Sequence, residues 1–167
     1  MKFSIKFIVL SFIVTLISKE AAAQNVLINI LTKNAGIVQK GHNTFIEVTI
    51  NNTDPTSFIG IYKLKAQISV PNSIVNITAS GHSLPTGWEI ISNSDSTITL
   101  SNGKDIIASN DARTLLIAIK GKKIGGPLSV AGQISFSNGS APGTEPGSLK
   151  GDNPADNFAT SSCQVKK

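Results

Sequence analysis

From residue 25 onward, apolar and polar residues alternate with a period of two, and no stretch repeats apolar residues at helical spacing. In an extended strand, successive side chains point to opposite faces, so this pattern describes strands with one buried face and one wet face. Residues 44–51 show it best, with Ile46, Val48 and Ile50 on one face and Phe45, Glu47 and Thr49 on the other. Residues 25–32 place Val26, Ile28 and Ile30 together. Residues 61–70 place Tyr62, Leu64, Ala66, Ile68 and Val70 inward, ending at Pro71, which cannot donate to a ladder. Residues 73–79, 88–91, 97–100, 113–120, 128–136 and 157–165 add further strands, with Leu115, Ile117 and Ile119 sharing one face and Leu128, Val130, Ile134 and Phe136 sharing another. Clusters of Gly, Asn, Asp, Ser and Pro separate them. This predicts an all-β, immunoglobulin-like antiparallel sandwich of about 7–9 strands.

The first 23 residues follow a different rule. Lys2 and Lys6 precede an apolar run from 7 to 17, which gives way to Ala21-Ala22-Ala23. A basic start, a short apolar core and small residues are the order of a secretory signal peptide, with cleavage expected between Ala23 and Gln24. The apolar core is about 11 residues, short of the ~20 needed to span a bilayer as a helix. The expected organisation is therefore a signal peptide over 1–23 and one sandwich domain over 24–167, exported to the periplasm, cell surface or medium. The mature part carries 12 basic and 9 acidic residues. That mild, scattered excess does not suit nucleic-acid binding, which needs a basic stripe. With Cys163 the only cysteine, no internal disulfide can form, so packing alone must hold the fold.

Residues 138–156 form a long connection rich in turn residues, including Pro142-Gly143 and Pro146-Gly147. Proline fixes φ and glycine supplies positive φ, so the segment reads as a chain of turns. Long loops on rigid scaffolds often carry binding, which makes these four residues a candidate binding loop. Asp152 and Asp156, with Asn153 and Asn157, offer oxygen ligands of the kind calcium takes, but the EF-hand glycine and distal glutamate are missing. Their first reading is as turn formers that hydrogen-bond their own backbone, and the same holds for Asn51, Asn52 and Asp54. No cofactor is expected.

No catalytic set is expected either. His42 and His82 are the only histidines, no Gly-x-Ser-x-Gly elbow occurs, and nothing pairs a nucleophile with a base. Cys163 shares its face with Ala159 and Val165, which suits a buried small side chain, although a disulfide between chains is the other use of a lone exported cysteine. Trp88 and Tyr62, the only Trp and Tyr, are expected in the core rather than as sugar-stacking platforms. Lys63 and Lys65, with Lys120, Lys122 and Lys123, are basic residues that an acidic polysaccharide would suit, and that also serve solubility and edge protection. Short glycosylation-type signals occur at Asp95-Ser96-Thr97 and at Asn51, Asn76 and Asn138, as chance supplies in a chain rich in these residues.

Three segments carry a family resemblance: residues 45–54 (Phe-Ile-Glu-Val-Thr-Ile-Asn-Asn-Thr-Asp), residues 83–90 (Ser-Leu-Pro-Thr-Gly-Trp-Glu-Ile) and residues 151–160 (Gly-Asp-Asn-Pro-Ala-Asp-Asn-Phe-Ala-Thr). In this order the chain resembles the Ig-like repeat domains of bacterial surface proteins known as domain of unknown function eleven. In general style it is similar to exported proteins of Bacteroidetes-type bacteria. The resemblance implies a non-catalytic interaction or adhesion module, present here as one copy and with no anchor of its own, whose partner is another envelope or surface protein. A carbohydrate-binding module, assisted by calcium, is the alternative.

Overall fold

A computed structural model of the chain describes residues 25–167. The expected signal segment and its Ala23–Gln24 junction lie outside the described residues. Ten strands follow in order: β1 (Val26–Thr32), β2 (Ile37–Gln39), β3 (Asn43–Asn52), β4 (Leu64–Ser69), β5 (Val75–Ile77), β6 (Glu89–Asn93), β7 (Thr97–Ser101), β8 (Ala112–Gly121), β9 (Gly125–Phe136) and β10 (Phe158–Lys166). They form an immunoglobulin-like β-sandwich. One sheet has four strands in the order β1-β3-β8-β5, and the other has six in the order β2-β10-β9-β4-β7-β6.

Alternation in the sequence becomes the sandwich directly. Ile46, Val48 and Ile50 of β3 and Leu115, Ile117 and Ile119 of β8 are fully buried from one sheet. Leu64, Ala66, Ile68, Ile98, Leu100 and Val130 meet them from the other. Each such aliphatic side chain contributes roughly 1.5–3 kcal/mol on burial, and no cross-link supplements them. Cys163 is part of this packing, with no solvent exposure. Burial pushes its thiol pKa up, which disfavours the thiolate.

Three local differences from the sequence reading have physical causes. A short strand, β2, runs parallel to β10, because the chain leaves the four-stranded sheet through Asn34 and Ala35, both at positive φ, and joins the other. Tyr62 does not point inward from a strand. It sits at φ 53° in the turn before β4, half-buried, with its hydroxyl 3.4 Å from Glu89 Oε1. Leu128 is 42% exposed, since it pairs with Cys163 where the β9–β10 register shifts.

The free edge of β1 is closed by side chains. Val26 N–H donates to Asp152 Oδ1 at 3.2 Å and Thr32 N–H to Ser161 Oγ at 3.0 Å. Among the described residues no helix is long and apolar enough to cross a membrane.

Candidate functional site: the outer face of the six-stranded sheet

Residues directly opposite each other in an antiparallel pair share a face, so the register lays out the outer surface of the larger sheet in rows. The central row runs Phe158, Gln133, Gln67, Thr99 and Ser92, across β10, β9, β4, β7 and β6. The next row runs Thr160, Ala131, Ser69 and Thr97, and beyond it Ser162 faces Ser129. Not one of these side chains is charged. On the other side of the centre charge enters in the row Ser135, Lys65, Ser101 and Glu89, and at the far end of β10 as Lys166, which pairs with Gln39 of β2. Lys65 and Glu89 turn to the loops: Lys65 Nζ donates to the Thr144 carbonyl at 3.2 Å, and Glu89 meets the Tyr62 hydroxyl.

Phe158 is 55% exposed at one margin of the central row. With Gln67, Ser69, Ala131, Gly132 and Gln133 it borders a shallow depression of about 150 Å³. The chemistry is that of a broad pleated surface with many neutral donors and acceptors and one aromatic ring. Covering it strands no unpaired charge, and desolvating a charge is the larger cost of association. Sequence reasoning passed over Phe158, Gln67 and Gln133. Their signal is the outward register of Phe158, Thr160 and Ser162, which becomes a surface only once β9 is known to pair beside β10.

The residues singled out from sequence are placed elsewhere. Pro142, Gly143, Pro146 and Gly147 lie in a loop folded back on the sandwich. Ser137 bridges to Pro146, Gly147 N–H donates to the Phe136 carbonyl at 3.1 Å, and the Ser137 hydroxyl bonds the Tyr62 carbonyl. A Cβ on Gly147 would stand 2.2 Å from the Ser137 carbonyl, so glycine is what lets the two backbones meet there. Asp152 and Asp156 act as fasteners. Besides Val26 N–H, Asp152 accepts from Asn157 Nδ2, while Asp156 Oδ2 accepts from Asn25 Nδ2 at 3.0 Å and from Asn153 Nδ2 at 3.4 Å. Asn153 Oδ1 accepts from Ala155 N–H, the local turn expected of it. Among the described residues no three His, Cys, Asp or Glu side chains gather to hold a metal. Asp54, 1% exposed, accepts from Thr56 N–H at 2.7 Å and Ser57 N–H at 3.0 Å. Those bonds, Thr56 first, hold its carboxyl below the usual value.

Trp88 is buried at 7% exposure, and its Nε1–H donates to Asp105 Oδ2 at 2.9 Å. Arg113 grips the same carboxylate with two nitrogens, at 2.7 and 3.2 Å, and reaches Asp111 at 2.6 Å. These carboxylates raise the Arg113 pKa further, Asp105 most. Asp105 is thus taken and cannot orient a histidine. His82 fills a gap in the four-stranded sheet, where its Nδ1 accepts from Ala118 N–H at 3.1 Å between the Thr78–Ala118 and Ser83–Leu116 backbone bonds. Burial lowers its pKa below the ordinary 6.5.

No family model matches the chain, and no curated protein matches it. Solved structures do match. A cohesin module from a Clostridium perfringens family 33 glycoside hydrolase aligns at TM-score 0.52 and 8% identity, over 87% of this chain and 98% of that one. A chain of the CaDoc0917–CaCohA2 complex aligns at TM-score 0.50 and 10% identity, over 83% and 99%. An uncharacterized Nocardia farcinica protein with an immunoglobulin-like fold aligns at TM-score 0.46 and 12% identity, over 84% and 98%. At these identities the likeness is one of fold.

Proposed function

We propose that the chain is an exported, non-catalytic interaction module that docks another envelope or surface protein on the outer face of its six-stranded sheet. In this reading residues 1–23 are the signal peptide, cleaved between Ala23 and Gln24, and residues 24–167 are the sandwich. The observation that carries it is the pair of uncharged rows, Phe158-Gln133-Gln67-Thr99-Ser92 and Thr160-Ala131-Ser69-Thr97. Interface centres are poor in charge and rich in aromatic anchors, and Phe158 supplies the anchor here. The likeness to a cohesin module, and to a chain solved within a two-protein complex, supports a protein as the occupant. The surface-repeat resemblance of residues 45–54, 83–90 and 151–160 supports the same class.

The test is capture and reconstitution. Wild-type protein is used to capture a partner from envelope extract, and the interaction is then rebuilt from purified components. Ala131→Arg places a charge in the centre of the face and should abolish binding. Thr114→Arg, exposed on the outer face of the four-stranded sheet, should leave it intact. Equal binding by the two variants sinks the assignment of the face. The exposed Phe158 ring beside two glutamine amides keeps carbohydrate as a second reading. A neutral-glycan array that responds to the wild type and not to Phe158→Ala selects it.

A further inference from the structure

The two ends of the sandwich differ in charge. The upper end is where β3 starts and where β8 and β10 finish, and Lys40, Lys120, Lys122, Lys123, Lys166 and Lys167 all fall there. Asp95 is the one acidic residue at that end among the described residues. Lys63 and Lys65 precede and open β4 at the opposite end, so the five lysines noted in the sequence are not one patch.

Three of the upper lysines line a single depression of about 300 Å³, bordered by Lys40, Gly41, Asn76, Lys120, Gly121 and Lys122. Backbone bonds set its rim: Gly41 N–H to the Gly121 carbonyl at 2.8 Å and Gly121 N–H to the His42 carbonyl at 3.1 Å. A Cβ on Gly121 would stand 2.4 Å from the Gln39 carbonyl, so glycine permits this close crossing. Lys122 reaches the Asn72 carbonyl at 3.3 Å, and among the described residues no carboxylate pairs with any of the three. Edge protection does not account for Lys120, which lies on β8, between β3 and β5. The side-chain oxygen of Asn76 is shielded from solvent and has no hydrogen-bond partner.

We propose that this depression binds an acidic saccharide, its carboxylate or sulfate held by Lys40, Lys120 and Lys122, with a neighbouring hydroxyl against the Asn76 side chain at the rim. Three lysines on one rim favour an anion over a neutral ligand. An amide side chain at the rim can donate to or accept from a sugar hydroxyl.

The test is an amide-shift titration of the folded protein with glucuronic acid, glucose, sodium sulfate, a poly-aspartate peptide and phosphatidylglycerol vesicles. Glucuronic acid should move the amides of Gly41, Asn76 and Gly121, more tightly than sulfate and far more tightly than glucose. Lys40→Gln and Lys120→Gln should each weaken it about tenfold. Asn76→Ala should weaken glucuronic acid and leave sulfate unchanged, while Lys63→Gln should change neither. Raising the salt to about 1 M, where the screening length is ~3 Å, should weaken binding. Tighter binding of the peptide or the vesicles, equal binding of sulfate and glucuronic acid, or no shift at these amides overturns the proposal.

Discussion

The lower and upper ends of the sandwich use charge in opposite ways. At the lower end Asp105 is shared by Arg113 and Trp88, Asp54 closes its own turn, and Asp152 and Asp156 fasten the 138–156 loop to β1. Each of these carboxylates accepts from donors of the molecule itself, although Asp54 Oδ2 and Asp156 Oδ1 are shielded without a partner. At the upper end the lysines at 40, 120 and 122 pair with no carboxylate among the described residues. The difference separates charge that holds the fold together from charge left for something outside it. Either assignment can be broken by exchanging residues at the two ends.

The largest loss should follow Asp105→Ala. It takes from Arg113, whose side chain is only 21% exposed, one of its two carboxylate partners, and leaves the Trp88 Nε1–H without an acceptor. Stripping one partner from a largely buried, hydrogen-bonded pair should cost about 2–3 kcal/mol, read as a lower urea midpoint at unchanged slope. A loss under about 0.5 kcal/mol would mean that the lower end is no more dependent on its charges than ordinary surface.

Asp152→Ala should cost less, about 1 kcal/mol, because it removes two hydrogen bonds at a partly exposed fastener. The effect should be local. Amide exchange should speed up at Val26 and through residues 138–156 while the β3 and β8 core stays protected. Uniform acceleration over the whole sandwich would show instead that the loop is part of the cooperative core.

How far the sequence foretold this division follows from which interactions are local. Strands such as β3 and β8 were legible because burying one face imposes alternation on neighbouring residues. Cys163 was legible as core for the same reason, and Trp88 from the Pro-Thr-Gly turn that precedes it. The three residues of β2 are too few to show a period, and their partner in β10 lies far along the chain. The neutral rows through Gln67 and the lysine cluster around Gly121 are products of register. Lys40 and Lys120 are 80 positions apart in sequence, and the Lys40–Gly121 bridge and the β3–β8 pairing bring them together. Asp152 and Asp156 were legible as polar loop residues, but their attachment to Asn25 and Val26 is again a long-range contact.

His82 gives a smaller effect with a defined pH window. Its folded pKa lies below 6.5 because burial disfavours the imidazolium, and protonation of Nδ1 would cost it the Ala118 N–H bond. Above 6.5 both folded and unfolded chains hold it neutral. As the pH falls through 6.5 the unfolded chain takes up the proton first, so stability falls until the pH passes the lower folded value. His82→Asn should flatten that part of the urea-midpoint-against-pH curve, and an unchanged curve would remove His82 as its source.

The smallest change should come from the end that looks most charged. Lys120→Ala should alter the urea midpoint by no more than about 0.5 kcal/mol, since it removes no partnered group. Removing Lys120 together with Lys122 should, if anything, stabilise the sandwich at low salt by relieving repulsion, and the gain should fade as salt is added. A loss comparable to that of Asp105→Ala would give the upper lysines a structural role and erase the contrast between the ends. A salt-dependent gain would mean that the fold carries these charges at a cost, which is the expectation for residues whose partner comes from outside the chain.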